Sequence, residues 1–310
     1  MWRVVVLASA IAAGCGRLDF ARVPGDGGPD ESPDGSSDGA PDAACVLGPF
    51  GPVRPLTELN SSADESDPEL SSDGLEIFFR STRMAGNGQP DLWRAVRASV
   101  DQPFDPPTPV TELNTANWEG DPALSSDGLT LWYTGGAFPV DIYRATRSAR
   151  GQPFGAPTIE SVINSGEDDA SPWVNASGTE IYFSSKRTSN DNSHELWRAT
   201  RAAPGMPFQP PVRIEEMVAP REQCCPALSP DGQEMIFASR SVDVPGRFAV
   251  GHVRWTGSAW GDLQAFAPAV STSDDSDVGW SRDGRAILFT SDRPGGMGLS
   301  DLYIVERSCP

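Results

Sequence analysis

The feature that most constrains the fold is a tight turn followed by an apolar strand, which occurs five times after residue 45. The copies read SSDGLEIFF, SSDGLTLWY, NASGTEIYF, SPDGQEMIF and SRDGRAILF, with turn glycines Gly74, Gly128, Gly178, Gly232 and Gly284. An Asp-Gly pair between apolar runs is a strong hairpin signal, because glycine accepts the positive φ that such turns require. Spacings of 54, 50, 54 and 52 residues between these glycines indicate a β-propeller with one blade per copy.

Each repeat also carries a third and a fourth strand candidate, and the fourth strand of the first repeat is predicted at residues 104–113. The fourth-strand pattern first occurs before any turn, as GPFGPVRPLTELN from Gly48, and the chain ends on a third strand. The sequence therefore predicts an all-β fold, a five-bladed propeller of four-stranded blades over residues 45–310. We expect the N-terminal strand to complete the last blade from outside and so to close the ring.

The cysteines of the propeller fit this closure. When the repeats are aligned, Cys45 and Cys309 fall at the same position, the one turn that the closing blade lacks covalently. A Cys45–Cys309 disulfide is therefore predicted, and it would stabilise the ring. Cys224 and Cys225 are adjacent in the fourth repeat and are left either as two thiols or as a strained vicinal disulfide. With no histidine nearby they make a poor zinc site, so no metal ligand is predicted.

The N-terminus carries an export signal. Arg3 precedes a short apolar run that ends in AAGC at Cys15, which resembles the lipobox of bacterial lipoproteins. We predict a lipoprotein signal peptide over residues 1–15 with Cys15 lipidated, the alternative being an ordinary secretory signal cleaved nearby. Residues 16–44 are rich in Asp, Gly, Pro and Ser, and they form a predicted disordered linker. The expected location is the cell envelope, lipid-anchored and on the outer membrane, facing the periplasm or the cell surface.

The repeats resemble the TolB-like, WD-like propeller repeats of bacterial envelope proteins. The resemblance covers residues 45–310 and is carried by a proline before each turn, the SSDG or SPDG turn, an aromatic residue in the second strand, and third strands that begin DLW, DIY, ELW or DLY. It implies a propeller that displays interaction surfaces, with no catalytic residue in the repeat motif itself. Val278 replaces the proline in the fifth copy, and Ser177 replaces the turn aspartate in the third.

Acidic residues precede the innermost strands in most copies. The chain has a net charge of −19, which disfavours binding to nucleic acid. These residues lie where the chain passes from the outer strand of one blade to the innermost strand of the next, beside the central channel. Carboxylates from several blades should therefore converge at one mouth of the channel and attract a cation or a basic segment. The alternative is a solvated acidic rim. The candidate residues are Glu65, Asp67, Glu119, Asp121, Asp169, Asp275 and Asp277.

Other recurring residues are interpreted as structural. Trp93 and Trp197 are expected in the core between blades. Three arginines lie two residues beyond the second strand, and we expect each to pair with the acid that opens the third strand of its blade. The expected pairs are Arg83–Asp91, Arg187–Glu195 and Arg293–Asp301.

The sequence thus predicts a monomeric, membrane-tethered lipoprotein whose propeller is a binding or scaffold module. Its expected partner is an envelope protein, a peptide or a cell-wall component, with no cofactor, although calcium is left open. The protein is not expected to be an enzyme, because its acids follow the repeat and because His194 and His252 are expected away from the axis. The alternative function is that of a carbohydrate-active, glycoside hydrolase-like enzyme that uses axial carboxylates.

Overall fold

The computed structural model describes most of the predicted propeller, as residues 47–84, 90–188, 192–217, 222–240, 247–266 and 273–308. The predicted signal peptide with Cys15, the linker, and both Cys45 and Cys309 lie outside the described residues. Among the residues that are described, no helix has the length and apolar character needed to cross a membrane.

Four-stranded antiparallel sheets form all five blades, as the sequence predicts. In four of them the strands follow chain order from the inside outward. Blade 1 consists of β2 (Glu65–Leu70), β3 (Glu76–Ser81), β4 (Asp91–Val96) and β5 (Thr108–Pro109). Blade 2 consists of β6 (Trp118–Leu124), β7 (Thr130–Gly136), β8 (Asp141–Thr146) and β9 (Thr158–Ile159). Blade 3 consists of β10 (Asp169–Val174), β11 (Glu180–Ser185), β12 (Glu195–Thr200) and β13 (Val212–Arg213).

The last two blades complete the ring. Blade 4 consists of β14 (Gln223–Leu228), β15 (Glu234–Arg240), β16 (Phe248–Arg254) and β17 (Gln264–Ala265). Blade 5 consists of β18 (Asp275–Trp280), β19 (Ala286–Ser291) and β20 (Asp301–Glu306), with β1 (Arg54–Pro55) as its outermost strand. A short 3-10 helix at Glu215–Met217 follows β13.

The predicted ring closure is confirmed. Strand β1 pairs antiparallel with β20, so the first strand of the propeller completes its last blade. The pairing continues towards the chain ends, where the Gly48 amide donates to the Ser308 carbonyl at 2.9 Å. These contacts belong to the segments that lead to Cys45 and Cys309, whose disulfide stays a prediction.

The outermost strands are shorter than the sequence predicts. In blade 1 the expected strand at 104–113 is reduced to Thr108–Pro109. Pro106 and Pro107 have no amide hydrogen to donate, so the segment before β5 cannot extend the ladder. Phe104 nevertheless packs inward and is 7% exposed, which holds this segment against the blade.

The core lies between neighbouring blades. One cluster joins Ile77 and Phe79 of blade 1 to Leu288 and Leu302 of blade 5. Trp93 belongs to the same cluster and Trp197 to another, so the predicted core role of both tryptophans is confirmed. Full burial of each large apolar side chain contributes about 1.5–3 kcal/mol. A blade buries the apolar side chains on both of its faces only when it packs between two neighbouring blades.

An arginine clamp, defined as an arginine after the third strand that binds the hairpin turn of its own blade, recurs in four blades. Its Nε donates to the carbonyl oxygen of the turn glycine at 2.6–2.8 Å. Its guanidinium lies 4.4–4.8 Å from the ring of the phenylalanine that opens the outer segment. The pairs are Arg97 with Phe104, Arg147 with Phe154, Arg201 with Phe208 and Arg307 with Phe50.

The predicted arginine–acid pairs are wrong in their partners. Each arginine binds the acid that opens the innermost strand, not the one that opens the third strand. The second strand runs antiparallel to the innermost strand, so the end of the second strand lies beside the start of the innermost strand. An arginine two positions beyond the end of the second strand is therefore close to the acid that opens the innermost strand. The pairs are Arg83–Glu65 at 2.9 Å, Arg187–Asp169 at 2.5 Å and Arg293–Asp275 at 2.8 Å.

Arg147 should contribute more to stability than the other clamp arginines. Its fully buried guanidinium also binds Glu76 of the neighbouring blade through two hydrogen bonds, at 2.9 and 2.5 Å. Removing one partner of a buried ion pair leaves an uncompensated charge. We therefore expect Arg147→Met to lower the free energy of unfolding by about 3 kcal/mol. Arg97→Met, the matched control in blade 1, should lower it by about 1 kcal/mol. Urea denaturation measures both, and equal losses would contradict the inter-blade role of Arg147.

Candidate functional site

All five innermost strands break their ladder at the same repeat position. Each shifts register there, between Ser66 and Glu69 in blade 1 and at the equivalent points elsewhere. The residue in the bulge has a positive φ of 47–60° although none of the five is glycine. Such a conformation is costly for side chains other than Asn and Asp. The five bulge residues, which we call the axial ring, are Asp67, Asp121, Ser171, Cys225 and Asp277.

Contacts join four of the five neighbouring pairs in the axial ring. The Asp121 amide donates to Asp67 Oδ2 at 3.1 Å, and the Ser171 amide donates to Asp121 Oδ2 at 3.2 Å. Ser171 Oγ lies 3.6 Å from Cys225 Sγ, and that thiol donates to Asp277 Oδ1 at 3.1 Å. The bulges therefore bring one side chain from every blade together on the channel axis.

The axial ring carries more negative charge than its surroundings offset. Arg80 binds Asp67 at 2.8 Å, and its positive charge also acts on Asp121 and Asp277 nearby. Burial raises the pKa of Asp67 well above its usual range, and the nearby Asp277 and Asp121 raise it further against the effect of Arg80. The pKa of Asp121 is raised for the same reasons. Buried carboxylates in this state are suited to share a proton or to hold a cation.

The structure divides the predicted acidic residues into two groups. Asp67, Asp121 and Asp277 meet on the axis, where the donor atoms of all three lie within 4.8 Å of one another. The other four are at most 2% exposed and bind groups of their own blade. These four are Glu65 and Asp169, each held by a serine and an arginine, Glu119, held by Thr115, and Asp275, held by Arg293.

The channel also contains a cavity at the end away from the axial ring, where the hairpin turns of the blades meet. This turn-face cavity has a volume of about 780 Å³, within the range typical of small-molecule sites. The second residue of every turn borders it. Those residues are Ser72, Ser126, Ala176, Pro230 and Arg282.

Tryptophans at four positions where the other blades carry different residues line the turn-face cavity. Trp173 and Trp280 are in innermost strands. The other blades carry Glu, Ala or Gly at the position of Trp173, and Leu or Val at the position of Trp280. Trp255 and Trp260 replace the arginine and phenylalanine of the clamp in blade 4, and their rings meet edge to face at 5.3 Å. The cavity is therefore built where blades 3, 4 and 5 depart from the repeat.

The charges around the turn-face cavity balance. Three arginines and three acids line it, although the whole chain carries a net charge of −19. Arg198 binds Glu180 at 2.5 Å, and the Tyr182 hydroxyl donates to the same carboxylate at 3.3 Å. The arginines are Arg198, Arg213 and Arg282, and the acids are Glu180, Glu216 and Asp231.

Arg282 separates the two cavities. It extends from blade 5 across the axis and donates to the carbonyl oxygens of Leu124 at 2.9 Å and Val174 at 3.2 Å. Its guanidinium also lies 3.9 Å from Glu69 of blade 1 and 5.7 Å from the ring centre of Trp173. Beneath it lies the axial cavity, about 50 Å³, lined by the axial ring.

Sequence reasoning placed a binding site at the acidic mouth and missed the turn-face cavity. A signal was present, because Trp255 and Trp260 interrupt the arginine and phenylalanine that recur in the other copies. Neither His194 nor His252 is among the residues that line either cavity, in agreement with their expected distance from the axis.

Solved structures similar to this chain include both TolB and glycoside hydrolases. TolB from Acinetobacter baumannii is 16% identical, with a TM-score of 0.50 over 81% of this chain, which spans 56% of the length of that protein. An α-L-arabinofuranosidase from Lactobacillus brevis is 12% identical, with a TM-score of 0.57 and coverage of 83% and 92% of the two chains. The α-L-arabinofuranosidase from Podospora anserina in complex with cellotriose is 15% identical, with a TM-score of 0.52 and coverage of 83% and 96%. No family model and no curated protein matches the sequence.

The sequence-based prediction that the protein is not an enzyme is wrong. It rested on acids that follow the repeat and on histidines expected away from the axis, and neither feature excludes a reaction on an architecture that enzymes share. Glycoside hydrolases share that architecture at TM-scores of 0.57 and 0.52, so enzymes are built on this fold. At these identities the likeness shows the fold alone, and no reaction or catalytic residue is transferred to this chain.

Glu69 should make the folded protein less stable as the pH rises from 5 to 8. Burial, only partly offset by Arg282, raises the pKa of its carboxyl from 4.5 to about 7. The folded state therefore keeps a proton that the unfolded state releases, and stability is lost between these two values. We expect Glu69→Gln to remove a pH-dependent loss of about 3 kcal/mol. Urea denaturation at pH 5 and pH 8 tests this, with the exposed Glu216→Gln as control. A variant with the pH dependence of the wild type contradicts it.

Proposed function

We propose that the protein is a lipid-anchored protein of the cell envelope whose propeller binds a saccharide of the cell wall in the turn-face cavity. The single observation that carries the proposal is the set of four tryptophans, each a departure from the repeat, around one cavity of about 780 Å³. Internal repeats keep the residues that the fold needs. Aromatic residues that break the repeat and converge on one cavity are therefore best explained by a ligand.

The cavity has the chemistry that a saccharide requires. A sugar ring has an apolar face, which stacks on flat aromatic side chains such as Trp255 and Trp260, and a rim of hydroxyl groups, which hydrogen-bonds to charged and amide side chains. Arg198, Glu180 and Asn175 supply such groups at the cavity wall. The balanced charge of the lining favours an uncharged ligand over a strongly ionic one.

The carboxylates of the axial ring do not line the turn-face cavity. Asp277 borders a cavity of about 310 Å³ beside Arg80, and all three carboxylates border the axial cavity of about 50 Å³. Arg282 closes it on the side of the turn-face cavity. A saccharide would instead meet the carboxylates of the turn-face cavity, so a binding assay should also measure newly formed reducing ends.

The lipid anchor is tested independently of the ligand. The apolar run that ends at Cys15 supports acylation of that cysteine after cleavage of the signal peptide. We expect labelled palmitate to be incorporated into the wild-type protein in cells and to be lost in Cys15→Ser. Undiminished labelling of Cys15→Ser would contradict the anchor and would leave an ordinary exported propeller.

Removal of the tryptophan pair should abolish most of the saccharide binding. Binding to purified peptidoglycan sacculi and to soluble cello-oligosaccharides is measured by sedimentation and by tryptophan fluorescence. We expect Trp255→Ala/Trp260→Ala to weaken binding at least tenfold, because central aromatic side chains dominate binding energy. Phe138→Ala is the control, since its ring is 76% exposed and does not line the cavity. Wild-type protein that binds neither probe, or a double variant that binds as well as the wild type, would overturn the proposal.

A further inference from the structure

The axial ring contains soft donors as well as carboxylates. Cys225 is its member in blade 4, and Cys224 precedes it in the same strand. The structure shows both cysteines without a disulfide. At the position of Cys224 the other blades carry Ser66, Gly120, Ala170 and Ser276, so a pair of thiols is particular to blade 4.

Two groups of potential metal ligands share one aspartate. The donor atoms of Cys224, Cys225 and Asp277 lie within 4.8 Å of one another, as do those of Asp67, Asp121 and Asp277. Cys225 Sγ is 3.1 Å from Asp277 Oδ1. Tetrahedral zinc, with Zn–S near 2.3 Å and Zn–O near 2.0 Å, separates a sulfur and an oxygen ligand by about 3.5 Å. A shift of a few tenths of an ångström would therefore bring this pair to the required distance.

The charge of the axial ring favours a cation. The thiol group and the carboxylate group arise from different blades, and Arg80 is engaged with Asp67. A bound divalent cation would offset the same excess of negative charge and stabilise the thiolate.

The size of the axial cavity limits what it can hold. At about 50 Å³, with Arg282 above it, it accommodates an ion or a water molecule but no organic ligand. A purely oxygen-lined cavity would favour calcium or magnesium. Thiols among the donors favour instead a borderline or soft cation such as Zn²⁺.

We propose that a thiophilic divalent cation of the Zn²⁺ class binds at the axial ring through Cys224, Cys225 and Asp277. The sequence argued against zinc because no histidine accompanies the two cysteines. The fold supplies a third ligand, the Asp277 carboxylate from blade 5. Such an ion joins blades 4 and 5, so it stabilises the ring where two of the strained bulges meet.

The site is tested with Co²⁺ as a spectroscopic probe on the reduced, metal-free full-length chain. We expect one equivalent of Co²⁺ to produce a thiolate-to-metal charge-transfer band, which Zn²⁺ then abolishes by displacement. Cys225→Ser should reduce the intensity of the band, because one of the two thiolates is removed, and Cys225→Ser and Asp277→Asn should each bind Co²⁺ at least tenfold more weakly. Ser171→Ala, in the same ring but outside the proposed ligand set, should keep both.

A second measurement covers variants that fail to fold. Zn²⁺ should slow the alkylation of Cys224 and Cys225 by iodoacetamide in the wild-type chain, whereas Ca²⁺ should not. The proposal is overturned if no charge-transfer band forms while both thiols are shown to be free. It is equally overturned if Cys225→Ser keeps the band at full intensity, or if Ca²⁺ protects the thiols as well as Zn²⁺ does.

Discussion

The ring must close because each blade buries an apolar face against each of its two neighbours. The apolar clusters lie between blades, as where Phe79 of blade 1 packs with Leu288 of blade 5, so a blade at an open end would leave one apolar face in water. Strand β1 prevents this by completing blade 5 from the other end of the chain. The arginine clamp of blade 5 also joins the two ends of the chain, since Arg307 lies over the ring of Phe50 from the N-terminal segment.

Closure also explains why the two ends of the channel differ chemically. Five equivalent side chains must meet wherever the repeat points toward the axis, and at the bulges these are small polar residues that enclose about 50 Å³. At the hairpin turns the space is wider, and blades 3 to 5 fill its wall with tryptophans. Arg282 divides the channel into a compartment fit for an ion and one fit for a larger ligand. Two kinds of binding site can therefore occupy one axis without competing.

Sequence reasoning predicted the features that all five repeats share and missed those that occur in only some of them. The turn glycines and the strand pattern from Gly48 predicted the blades and their closure. Repeat counting placed Asp67, Asp121 and Asp277 at one mouth of the channel together with four other acids, and did not separate the two groups. Arg83 was paired with Asp91 because Asp91 is the nearer acid in the sequence. The actual partner, Glu65, follows from the antiparallel register of the first two strands of the blade, which the sequence does not show directly. The turn-face cavity could not be predicted as a volume. Its tryptophans come from three consecutive blades, and only the packing of these blades side by side brings them to one cavity.

The most direct test of the account is a crystal structure of the propeller grown with an oligosaccharide released from bacterial cell walls. We expect sugar density in the turn-face cavity, with a ring stacked on Trp255 or Trp260 and hydroxyl groups within hydrogen-bond distance of Arg198 or Glu180. Density at the opposite mouth, among the acidic residues, would contradict this assignment of the ligand site. A cavity that stays empty at saturating ligand would contradict the proposed function itself.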